Sequence, residues 1–428
     1  MNKKKYAHPA SWVPTLYFAE AMPYVAIMAV TVIMYKRLGI SNTDIALYTS
    51  WLYLPWVIKP LWSPFVDIIK TKRWWFLAME LFIGAGFAGV ALTIPMPNFF
   101  QMSLALFWLL AFGSATHDIA ADGFYMLGLK PHHQSFYVGI RSLFYRFGTL
   151  FGQGAMVWIA GMLENSLGNV PLAWSLTFYI MAGIFIAIWA YHRFIIPYPD
   201  SDHKKETAAS VSGILADFGN VFVEFFKKKQ ILAALLFMLL FRLPEAQLVK
   251  ISGLFLIDDV ANGGLGLSTA EIGVVQGTVG VLGIILGGIL GGMVVSRHGL
   301  KRWLWPMVAA ISLPDLVYVY LSITQTSNLW AIGSCLFVEQ FGYGFGFSAY
   351  MLYLIYFSQG KNSTAHYALC TGFMALGMML PGMLAGWMQE MLGYQNFFWW
   401  VVICCAATVA VCAFINVDSD FGKKVAKS

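Results

Sequence analysis

Long apolar stretches dominate this sequence, and they limit what the chain can fold into. Twelve stretches each supply the roughly 20 apolar residues that a helix needs to cross a bilayer; they lie near 11–35, 45–66, 74–95, 99–126, 137–162, 173–196, 231–256, 269–295, 302–323, 328–357, 364–389 and 394–415. Only 11% of the residues are charged, whereas a soluble domain carries about 25%. The sequence therefore predicts an all-α integral membrane protein with 12 transmembrane helices.

Lysines and arginines are distributed unevenly between the two sides of such a protein. With 12 spans, 20 of the 27 basic residues fall in loops or tails on the side of the two termini, and Lys36 and Arg37 fall on the opposite side. The remaining five lie within spans. Because basic loops tend to stay in the cytoplasm, we expect both termini to be cytoplasmic.

One long polar segment divides the spans into two sets of six. Its second part has apolar residues at helical spacing, from Ile214 to Phe225, followed by three lysines. This pattern predicts an amphipathic helix on the membrane surface, with the lysines near anionic lipid headgroups. We therefore expect an N-terminal six-helix bundle at 1–196, a cytoplasmic linker at 197–230 and a C-terminal six-helix bundle at 231–428.

A short phrase occurs once in each set of spans. "GISNTDIAL" at 39–47 precedes the second span, and "GLSTAEIGV" at 266–274 precedes the eighth. After those spans, "KRWW" at 72–75 pairs with "KRWL" at 301–304 at nearly the same offset. Copies of equal orientation at a constant offset predict two parallel repeats. In each phrase a serine precedes an acidic residue by three positions, which favours a capping box at the start of a helix.

This arrangement resembles the major facilitator superfamily, in which a cytoplasmic loop joins two parallel six-helix bundles. The segment "GMVVSRHGLKR" at 292–302 is similar to the superfamily's basic loop motif, with Ser296 in place of the motif's aspartate. The matching loop after the second span keeps Asp67 but lacks both glycines. The resemblance implies that the third helix of every three is peripheral, that the others line a central cavity, and that the two bundles alternate access to it.

Six longer strings resemble a narrower group, the AmpG-type muropeptide permeases and the related acetyl-CoA transporters. They lie at 59–67, 115–126, 145–154, 241–248, 271–280 and 363–387. The resemblance implies proton-driven import of peptidoglycan fragments, N-acetylglucosaminyl-anhydro-N-acetylmuramic acid with or without peptide, across the inner membrane of a bacterium. His117 stands where such permeases usually have glutamine. Transport of acetyl-CoA or another anionic metabolite is one alternative, and a lipid-handling membrane protein or a sensor is an alternative of another class.

Ionisable groups inside spans are costly, so each is a candidate for function. Glu20, Asp118 and Asp122 are the candidates for proton coupling. The two aspartates are one helical turn apart, and their mutual repulsion suits a pair that takes up a proton. Asp118 fits a carrier and a gate equally well, whereas Asp122 fits a gate better. Lys250 in the seventh span is placed to meet the acidic pair at 258–259.

Other charges inside or beside the spans are assigned to gating or structure; these are Lys59, Asp67 and Arg141. Lys59 is placed to pair with Asp67 or Asp118. Glu80 and Asp315 lie on helices that are peripheral in this fold, so we expect each of them to be paired locally.

Polar and aromatic residues of the cavity-lining helices are the candidates for substrate binding. The set is Tyr17, Tyr24, Arg146, Gln153, Arg242, Glu245, Gln276, Glu339, Tyr343 and Tyr350. Arg146 presents a forked donor that suits the lactyl carboxylate of a muramic acid. Glu339 begins a stripe with Tyr343 and Tyr350 that could stack on sugar rings, although packing alone also produces such stripes. Arg242 and Glu245 could instead satisfy each other.

The sequence lacks the motifs of ATP binding, of nucleophilic catalysis and of metal binding. It has no Walker loop, no legible Ser/His/Asp set and no His/Cys cluster, and its five cysteines lie inside apolar stretches. We therefore expect a transporter that is not an enzyme, with no cofactor and no metal site. The expected partners are an anionic amino-sugar fragment, protons and the lipid bilayer, without nucleic acid, and we expect a monomer.

Overall fold

The computed structural model describes residues 7–129, 131–202, 211–360 and 362–423, and most of this part of the chain is helical. Its first α-helices are α1 Val13–Val25, α2 Thr31–Arg37, α3 Asn42–Trp51, α4 Leu54–Ile69, α5 Lys72–Thr93, α6 Phe99–Gly128, α7 Pro131–Thr149, α8 Val157–Leu167 and α9 Val170–Ile195. The others are α10 Val211–Phe226, α11 Ile231–Leu240, α12 Leu243–Ile257, α13 Thr269–Ile272, α14 Val281–His298, α15 Leu300–Ser312, α16 Leu316–Thr324, α17 Leu329–Ser358 and α18 Ser363–Phe414. These ranges contain no β-strand, as an all-α fold requires.

In the part of the chain that the structure describes, three helical segments contain wide, π-helical turns. These turns lie at Ala26–Val30 between α1 and α2, at Leu150–Met156 between α7 and α8, and at Gly273–Gly280 between α13 and α14. The chain stays helical through each of them. A wide turn shifts the following residues out of regular helical register, and such turns are frequent at functional sites.

Eight helical segments in the described part of the chain are long and apolar enough to cross a membrane. They are Pro9–Arg37, Lys72–Thr93, Phe99–Gly128, Val170–Ile195, Ile231–Ile257, Thr269–His298, Leu300–Thr324 and Ala365–Phe414. The last segment contains the predicted eleventh and twelfth spans, which are separated at Gly393, where the backbone is not helical (φ 71°, ψ 163°). The eight segments thus account for nine of the 12 predicted spans.

The three remaining predicted spans are also helical but include polar positions; they are 45–66, 137–162 and 328–357. The first is split into α3 and α4, and α4 carries Lys59. In the second, α7 carries Arg141 and Arg146, and in the third, α17 carries Glu339. Charged residues within a span usually face a bundle interior or a water-filled cavity. Their presence here agrees with the expected cavity-lining positions of these spans.

The described residues belong to two compact units. Unit 1 comprises described residues of Met1–Leu38 and Ile58–Ser210, and unit 2 comprises those of Gly39–Val57 and Val211–Ser428. Helix α3 therefore packs within unit 2, whereas α1, α2 and most of α4 belong to unit 1. The predicted domain boundaries near 196 and 230 stay a prediction.

Aromatic side chains fill the interior of unit 1 where α5, α6 and α9 meet. Phe87 packs edge-on against Phe185 at a ring-centroid distance of 5.5 Å, and Phe107 packs against Phe178 at 5.7 Å. Edge-to-face pairs of this kind add stability beyond the area they bury. Helix α6, which carries both candidate aspartates, is therefore held firmly by α5 and α9.

Glycines allow α14 and α17 to approach each other closely in unit 2. Gly283, Gly287 and Gly291 recur every four residues on α14, so they share one face of that helix. A Cβ atom on Gly287 would lie 2.0 Å from the carbonyl oxygen of Phe341, and one on Gly344 would lie 2.3 Å from a carbonyl oxygen of α14. Small residues at this spacing are what membrane helices use for close packing.

The repeated phrase caps a helix completely in one copy and partly in the other. At the start of α13, the Ser268 hydroxyl accepts the Glu271 N–H at 3.3 Å, and the Glu271 carboxylate accepts the Ser268 N–H at 2.8 Å. At the start of α3, the Ser41 hydroxyl accepts the Asp44 N–H at 3.0 Å. The Asp44 carboxylate is one methylene shorter, and it accepts the Ser41 hydroxyl at 2.8 Å rather than closing the box.

The linker contains the predicted helix, α10, although the side chains of 211–218 lie outside the described part of the chain. Phe225 is buried and packs on Phe357, with ring centroids 5.6 Å apart. Lys228 donates to the carbonyl oxygens of Phe357 at 2.5 Å and Gln359 at 2.8 Å, and burial lowers the pKa of its ammonium group. The contact between these lysines and lipid headgroups stays a prediction.

Candidate functional site

An ion pair joins α4 and α6 in unit 1. Lys59 pairs with Asp118, and the two side chains are 29% and 21% exposed. Of the two partners that the sequence offers for Lys59, the structure shows Asp118; the side chain of Asp67 lies outside the described part of the chain. A carboxylate that is paired but still partly exposed can exchange a proton when the pairing changes.

Asp122 has two partners, one on α1 and one on α7. Its carboxylate accepts the Tyr17 hydroxyl at 2.9 Å and lies 3.0 Å from the Arg141 guanidinium. The same guanidinium lies over the Tyr17 ring at 4.4 Å and near the Tyr125 ring at 5.1 Å. Tyr17 and Arg141 are thus committed to Asp122, and this geometry favours a gate or a structural clamp over a substrate contact.

Glu20 lies on α1, one helical turn after Tyr17. Its Oε2 atom is buried and has no hydrogen-bond partner in the described part of the chain. The charges that act on Glu20 are those of Asp118, Asp122, Arg141 and Lys59. A buried carboxyl oxygen without a partner is costly as an anion, so Glu20 has the environment expected of a proton carrier.

Tyr145 of α7 lies among the charged groups of this site, although the sequence did not single it out. Tyr24, Glu20, Asp118 and Arg146 all act on it electrostatically. Arg146 is partly exposed and has no ion-pair partner among the described residues. Tyr145 follows Arg141 by four residues, and that helical spacing was the signal that could have identified it.

Helices α1 and α7 approach each other closely beside these residues. A Cβ atom on Gly148 would lie 2.7 Å from the carbonyl oxygen of Phe18, and one on Gly152 would lie 3.2 Å from a side-chain atom of Val25. Gln153 follows in the wide turn and is partly exposed. The glycines thus bring the polar residues of α7 next to α1.

Arg242 is the central cation of the candidate site in unit 2. Its Nη2 donates to the Tyr343 hydroxyl at 2.6 Å, and its guanidinium lies 4.8 Å from the centre of the Phe347 ring. Its Nε atom is buried and has no hydrogen-bond partner among the described residues. The mutual pairing of Arg242 and Glu245 that the sequence allowed is not what the structure shows.

Glu245 and Gln276 are two further candidates in unit 2. The charge of Arg242 acts on Glu245, but no ion pair or hydrogen bond of Glu245 occurs in the described part of the chain. Gln276 lies in the wide turn before α14 and donates to Ser252 Oγ at 3.2 Å, while its buried Oε1 accepts nothing from described residues. Both residues keep hydrogen-bonding capacity for a ligand.

The proposed aromatic stripe on α17 has one partly exposed member, Tyr343, and two buried ones. Glu339 is 2% exposed and accepts hydrogen bonds from Tyr318 at 3.2 Å and from Gln340 at 2.7 Å. Tyr350 is fully buried, and its hydroxyl donates to a main-chain oxygen at 2.7 Å. Both side chains are thus enclosed and have hydrogen-bond partners, and Tyr343 is the member of the stripe that contacts Arg242.

Lys250 of α12 has a different partner from the one expected. Its ammonium is completely buried, donates to Thr49 Oγ1 at 2.9 Å and lies 5.3 Å from the centre of the Tyr53 ring. The expected partner Asp258 instead accepts the Tyr394 hydroxyl. The reason is the packing of α3 within unit 2, which brings Thr49 to the lysine.

The expectation of local pairing is confirmed for Glu80, whose Oε1 lies 2.6 Å from Nδ1 of His192. Asp315 contacts the Cys405 thiol at 3.4 Å rather than a cation. Within the described ranges, no group of three or more His, Cys, Asp or Glu residues is arranged to hold a metal ion.

Comparison with known proteins identifies the family. The family model described as Major Facilitator Superfamily matches residues 15–359. The chain belongs to the Major Facilitator Superfamily. This membership confirms the predicted all-α fold of two parallel repeats, and it makes the protein an integral membrane transporter.

Curated relatives place the chain beside the AmpG-type members of this superfamily. It is 28% identical over 349 residues to the anhydromuropeptide permease of Escherichia coli (strain K12), covering 80% of this chain and 67% of the relative. It is 27% identical over 390 residues to a putative transporter, AmpG 4, of Rickettsia conorii, covering 89% of each chain. The predicted resemblance to AmpG-type permeases is thus confirmed.

Solved structures of the superfamily share the fold. A D-xylose–proton symporter superposes with a TM-score of 0.74 at 12% identity, covering 97% of this chain and 99% of that chain. A transporter of the POT family in complex with 5-aminolevulinic acid gives a TM-score of 0.72 at 12% identity, with 96% of each chain covered. At such low identity the likeness concerns the fold alone.

Proposed function

We propose that this transporter imports N-acetylglucosaminyl-anhydro-N-acetylmuramic acid, with or without peptide, together with protons. The names of the curated relatives support the substrate class. The observation that carries the coupling is Glu20, whose buried carboxyl oxygen has no described partner and which is acted on by the charges of Lys59 and Asp118.

Proton coupling is assigned to Glu20 and Asp118, with Asp122 and Arg141 as part of a gate. A carrier must be desolvated enough to hold a proton and close enough to a cation to release it. Asp118 has such a cation in Lys59. Glu20 has the desolvated oxygen, and the charge of Arg141 acts on it as well.

Substrate binding is assigned to polar and aromatic residues that suit the chemical groups of the sugar fragment. Arg146 and the free edge of Arg242 suit carboxylates, such as the lactyl group of the sugar or the acids of an attached peptide. Gln153 and Gln276 suit the N-acetyl amides because each can donate and accept. Tyr24 and Tyr343 complete the proposed set, and Glu245 can accept a sugar hydroxyl.

The orientation of the termini follows from the distribution of charge along the chain, and the membrane from the AmpG-type relatives. We place the protein in the inner membrane of a bacterium as a monomer with both termini in the cytoplasm. Two six-helix bundles, 1–196 and 231–428, alternate access to the substrate, and the linker 197–230 lies at the cytoplasmic membrane surface.

Uptake of labelled anhydro-muropeptide into vesicles tests this proposal. With one proton per substrate, a gradient of one pH unit supports about tenfold accumulation. Glu20→Gln or Asp118→Asn should abolish accumulation while counterflow exchange continues, and Asp44→Asn, which lies outside the network, should keep both activities. The symport assignment is wrong if neither variant separates the two activities and uptake continues after the gradient is collapsed.

A further inference from the structure

A second cluster of ionisable side chains is enclosed within unit 1, away from the groups assigned to transport. Glu80 of α5, His117 of α6 and His192 of α9 have no exposed surface. Glu80 Oε1 lies 2.6 Å from His192 Nδ1 and 3.4 Å from His117 Nε2. His192 Nε2 lies 2.8 Å from the hydroxyl oxygen of Thr15 on α1. The cluster thus connects four helices.

The contacts of this cluster form one continuous chain. The Thr15 hydroxyl, which lies beside His192 Nε2, also reaches the Trp12 carbonyl oxygen at 3.2 Å. His192 Nδ1 faces Glu80 Oε1, which is also within reach of His117 Nε2, while Glu80 Oε2 has no described partner. His192 and Glu80 therefore share one short, fully buried hydrogen bond, and the same carboxyl oxygen reaches His117.

Aromatic rings flank the two histidines of this cluster. The Phe76 ring lies 6.4 Å from the His117 ring, and the Tyr191 ring lies 5.8 Å from that of His192. The charge of Arg73 acts on Glu80 from the start of α5, without an ion pair between them among the described residues. Removing one member of a buried hydrogen-bonded pair leaves the other without its partner and is destabilising.

The cluster is connected to the transport residues because His117 is adjacent to Asp118 in the sequence. His117 precedes Asp118 on α6, and successive side chains on a helix are separated by about 100°. His117 reaches Glu80 on α5, and Asp118 reaches Lys59 on α4. We propose that Glu80, His117 and His192 are positioning residues that fix the rotation of α6 and so hold Asp118 against Lys59. This inference rests on the coupling role that the proposed function gives to Asp118.

Two replacements of His117 test the proposal. The amide nitrogen of His117→Gln can take the place of Nε2 and donate to Glu80, whereas His117→Leu has no donor. We expect His117→Leu to lower proton-driven accumulation about tenfold relative to counterflow exchange. This loss corresponds to about 1.4 kcal/mol. His117→Gln should keep the ratio and the pH profile of the unsubstituted protein.

Two replacements at the Glu80–His192 contact provide a second test. Glu80→Gln and His192→Asn each change one side of a short buried hydrogen bond, so we expect both to lower the melting temperature and the accumulation ratio. The double variant can form an amide–amide hydrogen bond at the same place, so it should recover both. Non-additive effects of this kind are the signature of residues in direct contact.

A substrate-free readout separates this inference from the proposed function. A carbodiimide joins a lysine and a carboxylate that are in contact, and peptide mass spectrometry then measures the Lys59–Asp118 link. We expect His117→Leu to reduce the link several-fold and His117→Gln to keep it, whatever the substrate is. If the link and the accumulation ratio are unchanged in His117→Leu, the cluster does not position Asp118. If the double variant recovers stability but stays uncoupled, the cluster exchanges protons itself and the proposal is overturned.

Discussion

Replacing Arg242 by lysine keeps a positive charge in unit 2 but removes the planar fork of the guanidinium. In the structure one Nη atom donates to Tyr343, and Nε has no described partner. A substrate carboxylate could therefore take Nε and a neighbouring Nη together, as arginine–carboxylate pairs commonly do. A lysine at this position can offer one strong hydrogen bond in the same direction but not two parallel ones.

The loss can be estimated from these contacts. A hydrogen bond to a charged group contributes about 1.5–3 kcal/mol. Its loss in Arg242→Lys should therefore raise the dissociation constant about 10- to 150-fold. Tyr343→Phe removes a contact that orients the arginine without removing a ligand donor. We expect that variant to weaken binding about two- to tenfold, the equivalent of about 0.5–1.5 kcal/mol.

Titration calorimetry of the purified protein with the anhydro-disaccharide measures both effects. Melting temperatures of the variants show whether the fold has survived, and Lys227→Met provides a matched loss of charge outside the spans. Arg242→Lys with an unchanged affinity and an unchanged melting temperature would mean that Arg242 does not bind the substrate. An affinity that falls only together with the melting temperature would mean that its role is structural.

Three further predictions concern packing and are checked by thermal unfolding of the purified protein. Gly287→Ala puts a methyl group where a carbonyl oxygen of α17 lies, so we expect a lower melting temperature or loss of folded protein, whereas Gly292→Ala has open space and should be neutral. Tyr350→Phe removes a buried hydrogen bond, which should cost about 0.5–1.5 kcal/mol of stability and leave substrate affinity unchanged. Lys228→Met removes two hydrogen bonds at the end of α17 and should cost about 1 kcal/mol; the exposed Lys227→Met should cost nothing measurable.

Much of the fold was predictable because a membrane demands long apolar helices. The hydropathy of the sequence indicated every span that the structure shows as helical, and the repeated phrase correctly predicted the capping box at Ser268. The wide turns at Leu150–Met156 and Gly273–Gly280 were not predicted. Both contain glycines around a glutamine, and that composition was the available signal, but glycine in a membrane helix more often reflects close packing.

The candidate site was predicted less completely than the fold, because helical spacing does not identify the neighbouring helix. Tyr343 and Tyr350 are two turns apart and share a face of α17. Tyr343 meets Arg242, whereas Tyr350 meets the Met238 carbonyl oxygen and the Phe237 ring. The two residues look alike in the sequence, and the difference between them arises from where α11 ends and α12 begins.

The partner of a buried charge is harder still to predict, because it can come from a distant part of the chain. The cost of an unpaired charge in a span guarantees that Lys59 and Lys250 find polar neighbours, but it does not select them. For Lys59 the neighbour was one of two residues that the sequence offered. For Lys250 it was Thr49, which is 201 positions away and belongs to a helix expected in the other bundle. Which unit α3 joins is decided by its packing against α12 and α18, and no local pattern in residues 39–57 contains that information.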